Sequence, residues 1–233
     1  MSWWESPAGR GRLERDRASL ALRQPGLRLS VGDHVEARGK IVIEVGESEV
    51  VLSYAIRLVF PDDYPASPPT AYDDGNGLDY VADRHLYPDG GCCLWLDVAP
   101  RWSSLDPDGL TRFIDEDLAV FYVRQWLYDA GKGWVGPAYS HGLAAYLEYA
   151  ADRGLTMEQL RLLLPAILGE WDEGARPCPC RSGGAFWLCH REFALTFRRA
   201  DPEALRVFAE AIKQRPAAPG LLAPSRSRRR RRR

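Results

Sequence analysis

Residues 10–23 have a helical composition, with Leu13, Leu20 and Leu22 giving a loose apolar face, and predict a helix. Two strand-like runs follow, at 34–44 and 49–60. The second, EVVLSYAIRLVF, mixes β-branched and aromatic residues in half-alternation, and the Gly-Glu-Ser between the runs reads as a hairpin turn. Residues 61–69, PDDYPASPP, hold too many prolines for a helix or a central strand, because each removes a backbone donor and stiffens the chain. An ordered connector laid over a surface is expected there, with irregular chain over 70–84.

Helical periodicity returns after Leu94. In residues 110–130, Leu110, Phe113, Ile114, Leu118, Phe121 and Gln125 with Trp126 trace one side, and Gly131 and Gly133 end the pattern. LAAYLEYAADR predicts a further helix. Thr156 starts another as a Thr-x-x-Gln capping box, and Asp201 with Pro202 caps a last one. The order of helix, strands, connector, loop and helices predicts an α+β fold, not an alternating α/β one. The expected organisation is one domain over 1–150, a helical module over 151–217 and a disordered tail over 218–233.

Composition narrows the classes. Of the 233 residues, 45% are hydrophobic and eight are Trp, which supports a packed core over a disordered chain. No apolar run approaches the roughly 20 residues of a membrane span, and the first residues lack the apolar middle of a secretory signal. A cytoplasmic protein is expected, in which clustered cysteines point to metal or catalysis before disulfides. Seven of the 31 basic residues lie in the last eight positions, and the rest of the chain carries 24 basic against 32 acidic side chains. That basic end is a candidate contact for nucleic acid or an acidic partner, set against the blander reading of a solvated end in an arginine-rich proteome. The 28 Arg against three Lys fit a GC-rich bacterial genome.

Three of the five cysteines stand within twelve residues and end in a Cys-His pair: Cys178, Cys180, Cys189 and His190, as C-x-C-x8-C-H. Two thiolates one residue apart and a Cys-His pair on the far arm suit one tetrahedral zinc ion with no open position, a structural site. The competing reading is a set of unrelated buried thiols. With Ser182-Gly183 and Phe186 the motif resembles the SEC-C family, over some 15 residues. It departs at Arg181, where that family favours Gly, and at Gly184-Ala185, where it favours lysines. The resemblance implies a stabilising zinc module that docks a partner, and the lost lysines weaken a nucleic-acid role.

A second constellation spans residues 60–103. Phe60-Pro61-x-x-Tyr64-Pro65-x-x-Pro68-Pro69, then Tyr87-Pro88-Asp89-Gly90-x-Cys92-Cys93-Leu94, then Trp102-Ser103, resembles the ubiquitin-conjugating enzyme (UBC-fold) family over roughly residues 10–150. The resemblance implies an N-terminal helix, an antiparallel meander and C-terminal helices. Its register makes Cys93 the nucleophile that carries a ubiquitin-like modifier as a thioester, and Cys92 a small inward hydrophobe. His85 stands where the family places an Asn thought to hold the loop and steady the oxyanion; an imidazole N–H is also a donor. The implied partners are a ubiquitin-like modifier, an activating-type enzyme and a protein target, with no membrane. The segment around His141 is similar to bacterial members of the group, including some in antiphage operons. Asp97 and Asp129 are further candidates for acting on an attacking amine, and His141 reads as structural. The rival reading is an inactive UBC-like adaptor that binds partners through its zinc module.

Overall fold

The computed structural model describes residues 2–46, 50–75, 77–98, 101–136, 138–171 and 177–215. The predicted Gly-Glu-Ser turn falls mostly outside these residues, at Glu47 and Ser48, and so does the basic stretch 226–233. The chain is α+β, built on a four-stranded antiparallel sheet in the order β1-β2-β3-β4.

Ser6 opens helix α1 (Pro7–Arg23): its hydroxyl accepts from the Gly9 amide at 3.0 Å, and Pro7 takes the first helical position, where a missing N–H removes no bond. The buried face of α1 carries Leu13 and Leu20, whereas Leu22 is 83% exposed. Two residues beyond Leu20 is more than half a helical turn away, so Leu22 cannot share its face.

The sheet comprises β1 (Leu27–Val31), β2 (Val35–Glu44), β3 (Val51–Val59) and β4 (Thr70–Asp73). Val35, Ala37, Ile41 and Ile43 of β2 and Ile56 and Leu58 of β3 face inward, alternating with polar or exposed positions such as Arg38, Lys40 and Glu44. The sequence reading missed two strands. β1 lies in a stretch left unassigned, and β4 lies in 70–84, expected to be irregular. Both are short, and their pairing comes from neighbours: β4 aligns Ala71 with Leu58 and Tyr72 with Arg57. Four residues behind a Pro-rich connector carry too little periodicity to reveal this.

Two compact units divide the chain, each taken over its described residues: Met1–Leu94 with Arg101–Val135, and Trp95–Pro100 with Gly136–Arg233. The sequence boundary at 150 falls inside a helix of the second unit, because that helix buries Tyr146, Leu147, Tyr149 and Ala150 in the C-terminal core. In the first unit the helical path runs through α2 (Gly109–Arg112), a π-helical stretch (Phe113–Leu118), α3 (Ala119–Leu127) and a second π-helical stretch (Tyr128–Lys132). Gly131 already has φ 76 within the last stretch.

The second unit holds α4 (Leu143–Asp152), α5 (Met157–Ile167), α6 (Phe186–Cys189), α7 (Arg191–Phe197) and α8 (Pro202–Gln214). The Thr156 box forms reciprocally, at 3.1 Å from the Gln159 amide to Thr156 Oγ1 and 2.9 Å from the Thr156 amide to Gln159 Oε1. Asp201 caps α8 through the Ala204 amide at 2.9 Å. Helices α6 and α7 were not predicted; they are four and seven residues long, below the length at which periodicity is legible. No helix among the described residues is long and apolar enough to cross a membrane.

The Pro-rich connector is pinned to α1 by a buried polar hub. Arg12 Nε donates to both Asp16 oxygens at 3.0 Å, and Arg12 Nη1 donates to the Asp106 carbonyl at 3.0 Å. Tyr64 OH donates to Asp16 at 2.6 Å, and Trp102 Nε1 to the Pro65 carbonyl at 2.8 Å. The Tyr64–Pro65 peptide is cis. Burial pushes the Asp16 carboxyl above its usual range even with these donors present.

Asp117, in the first π-helical stretch, is only 9% exposed in its side chain and meets Arg101 at 3.1 Å. Burial pushes its carboxyl up to about 6, with Arg101 opposing the rise. A folded pKa above the unfolded one means the fold prefers the protonated acid. This contribution is fully present below about pH 4 and is lost as pH rises through about 6. Asp117→Asn is therefore expected to raise the melting temperature at pH 8 by a few degrees, since ~1 kcal/mol is worth about 2–4 °C at this size. At pH 4 the gain should vanish. Thermal melts at the two pH values check it, and equal shifts at both would refute it.

Candidate functional site

The loop that carries the paired cysteines hangs on the edge strand β4. The Cys92 amide donates to the Ala71 carbonyl at 2.8 Å, and the Asp73 amide to the Gly90 carbonyl at 2.9 Å. Gly90 sits at φ 84 with Asp73 O and the Tyr80 ring 3.2 and 3.3 Å from where a Cβ would stand. The turn therefore needs glycine on both conformational and steric grounds. Within the loop the chain doubles back on itself: Tyr87 N donates to Gly91 O at 2.9 Å, Cys93 N donates to His85 O at 2.8 Å, and Leu86 pairs with Cys92.

That pairing separates the two cysteines. Leu86 and Cys92 are both buried, at 3% and 9% exposure, while His85 and Cys93, opposite each other in the register, are half-buried. Beneath the loop, Tyr122 OH donates to Asp73 Oδ1 at 3.3 Å and Tyr80 OH to Asp73 Oδ2 at 3.2 Å. Burial pushes the Cys92 thiol up to about 12, so it stays protonated at neutral pH.

His85 has φ 53 and ψ 39, left-handed backbone that is rare for a residue other than glycine. Its ring lies 4.3 Å from that of Trp134 at 31°. The residue before it, Arg84, is 5% exposed; its Nε donates to Gln125 Oε1 at 3.0 Å, and the guanidinium also pairs with Asp129. Gln125 Nε2 returns a bond to the Arg84 carbonyl at 2.6 Å. None of these partners was identified from the sequence. Gln125 left a signal, a polar side chain at an apolar position of the helix pattern, where it is now fully buried. Of the other sequence candidates, Asp129 is taken up by Arg84. Asp97 belongs to the second unit and accepts Tyr146 OH at 2.8 and 3.0 Å and the Asp201 amide at 3.3 Å. His141 is exposed and also in the second unit.

The second constellation closes on itself. The ligand atoms of Cys178, Cys180, Cys189 and His190 all lie within 4.8 Å of one another. Cys180 Sγ is 3.7 Å from Cys189 Sγ, and His190 Nδ1 is 3.3 Å from Cys178 Sγ and 3.1 Å from Cys189 Sγ. A tetrahedral ion with metal–sulfur bonds of ~2.3 Å and a metal–nitrogen bond of ~2.0–2.1 Å would need edges of about 3.8 and 3.6 Å. The four groups are thus close enough to hold a metal ion with small adjustments.

The backbone explains how a loop this short achieves it. The Cys178 amide donates to the Gly184 carbonyl at 2.7 Å and Pro177 pairs with Ala185, which folds the first arm back. Arg181 and Gly183 turn the chain with φ 63 and 81. Arg181, which stands where the resemblance favours glycine, has the backbone a glycine would take. Helix α6 delivers Cys189 and His190 together, the His190 amide donating to Phe186 O at 3.1 Å. Ser182 Oγ lies 3.4 Å from Cys189 Sγ, a contact the sequence did not single out. Burial lowers the His190 pKa, which favours the neutral imidazole that metal binding requires.

Comparison with protein-family models, curated proteins and solved structures returns no match. What the two sites can do must follow from their own chemistry. One is a half-buried thiol, Cys93, beside a buried one, Cys92. The other is a cluster of three thiols and an imidazole close enough to bind one metal ion.

Proposed function

We propose that the chain is a ubiquitin-conjugating-type carrier: Cys93 takes a ubiquitin-like modifier as a thioester and passes it to a target. The observation that carries this reading is the asymmetry of the cysteine pair. Cys92 is buried with its thiol held protonated, and Cys93 is half-buried on a turn, opposite His85. The antiparallel sheet after an N-terminal helix and the connector pinned beside it agree with a UBC-like arrangement.

In the proposed exchange the Cys93 sulfur attacks the thioester carbonyl of a modifier carried on an activating enzyme. The new C–S bond forms, the old one breaks, and the activating enzyme's thiol leaves with the proton. A target amine or hydroxyl then attacks the same carbonyl, Cys93 departs as thiolate, and the attacking group loses its proton. His85 would donate to the oxyanion of either step, the role that the resemblance gives to an Asn at this position.

The four-ligand cluster would hold a structural zinc ion. The ion would cross-link the Cys178–Cys180 arm to the Cys189–His190 arm, and a closed set leaves it no part in the transfer. The module would then serve to recruit a partner or target.

Incubation with an activating enzyme, modifier and ATP, read on a non-reducing gel, tests the reading. A thiol-sensitive adduct on the wild-type chain is expected. Its absence with modifiers that charge other carriers would leave an adaptor that binds without transferring.

A further inference from the structure

The segment opposite Cys93, Arg84–His85, carries a dense set of supporting contacts. Arg84 and His85 are held from two independent directions. From one side, Gln125 of α3 both accepts from the Arg84 guanidinium and donates to the Arg84 carbonyl, while Asp129 and, at 3.7 Å, Asp79 pair with the same guanidinium. The Tyr128 ring lies 4.9 Å from that guanidinium. From the other side, the His85 ring rests on Trp134, whose own neighbours are Phe121 at 5.8 Å and the Arg124 guanidinium at 5.8 Å.

We propose that Gln125 and Trp134 are positioning residues, which fix the Arg84–His85 segment from two sides and so set the reactivity of the Cys93 thiol opposite it. That Cys93 reacts rests on the reading above; that the segment is pinned does not.

Three observations carry the proposal. Left-handed backbone at a residue other than glycine is strained and persists only where surrounding contacts over-determine it. Here they do: the His85 amide bonds Ala82 O at 2.9 Å, its carbonyl takes the Cys93 amide, and Gln125 fixes the peptide before it. Second, Gln125 is fully buried on a helix whose other inward groups are apolar and aromatic, and both ends of its amide are spent on Arg84. A polar group in that position specifies one geometry where an apolar one would only fill space. Third, Trp134 Nε1 is buried with no hydrogen-bond partner, a cost that Phe would avoid. What Trp contributes here is its broad ring face, the surface on which His85 lies.

The charged groups around this pair are Arg84 with its partners Asp79 and Asp129, Arg124 across the Trp134 ring, and the neighbouring Asp83. Removing Gln125 or the ring would let His85 relax toward ordinary backbone, and the Cys93 amide would lose its fixed acceptor.

The test is the rate at which iodoacetamide alkylates Cys93 in the full chain between pH 6 and 9, followed by peptide mass spectrometry. Gln125→Ala and Trp134→Leu are expected to change that rate about tenfold and to displace its pH profile. Trp134→Phe, which restores a ring, is expected to stay near wild type. Profiles equal in all four proteins would overturn the proposal, and so would a Phe variant as altered as Leu. Should Leu or Ala prevent folding, wild-type NMR decides: the His85 ring protons must be shifted upfield by Trp134, and their titration must change once Cys93 is capped. An unchanged titration overturns the positioning role. The thioester assay run in parallel keeps the two ideas apart. Altered alkylation with no adduct removes conjugation and keeps positioning; an adduct with unaltered alkylation does the reverse.

Discussion

On the proposed zinc reading, Cys180→Ser is expected to bring the metal content of the purified chain from about one zinc per chain to near zero and to loosen the segment from Pro177 through α7. Cys180 and Cys178 are themselves part of the second unit's apolar cluster, with Phe186, Phe193, Ala194 and Phe197. The loop between the two ligand arms is folded back on itself by the local Cys178–Gly184 and Pro177–Ala185 pairings. Without an ion, three thiols and an imidazole crowd together, and the energy that would hold the turn in its left-handed conformations is gone. Structural zinc commonly supplies folding free energy outright. A loss of about 3 kcal/mol in local stability, roughly a hundredfold in amide protection, is a modest expectation for one ligand in four.

The loss should be local. Helices α4, α5 and α8 share one core with α7 but also bury Tyr146, Leu160, Leu163, Phe208 and Ile212, none of them a candidate ligand, with the Tyr146 and Phe208 rings 5.7 Å apart. Hydrogen-exchange mass spectrometry on wild type, on Cys180→Ser and on chelator-treated protein reads this directly. Matching losses over 177–197 with little change in α5 and α8 support a structural ion. Wild-type protein purified without metal, and equally protected there, would defeat it.

How much of this the sequence disclosed depended on where the information lay. The capping box at Thr156 and the Asp201-Pro202 start of α8 are local patterns of three or four residues, and the structure forms both as read. The four candidate ligands were legible for the same reason, since two pairs at fixed spacing leave few other partners. Strand β4 and helices α6 and α7 were not, because their existence depends on what they pair with or pack against. Leu22 failed differently: composition placed it on a face that helix geometry does not give it. The support around His85 was the least visible. Arg84, Gln125, Asp129 and Trp134 are up to 50 residues apart, and nothing in any one of them announces the others. Only the oddity of a glutamine in an apolar stripe pointed there. The two cysteines show the same limit from the other side. A resemblance chose between them, whereas composition alone left them equivalent.

That choice leads to a double dissociation. Cys93→Ala is expected to leave the melting temperature nearly unchanged, as substitutions at partly exposed sites usually stay within about 0.5 kcal/mol, and to abolish the modifier adduct. Cys92→Ala is expected to do the reverse. It removes a buried sulfur packed with Leu86 and Tyr122 against β4, at a cost of roughly 1 kcal/mol, while the adduct persists. The chemistry agrees with the packing. With its thiol pushed up to about 12 by burial, Cys92 stays protonated at pH 7, and only the thiolate is nucleophilic. Cys93→Ser adds a third arm: a hydroxyl in the same place would trap the modifier as an oxyester that survives reducing agent. Melting curves and paired reducing and non-reducing gels measure all three. An adduct that remains in Cys93→Ala and disappears in Cys92→Ala would reverse the roles, and would mean that the loop opens to expose the buried sulfur during reaction.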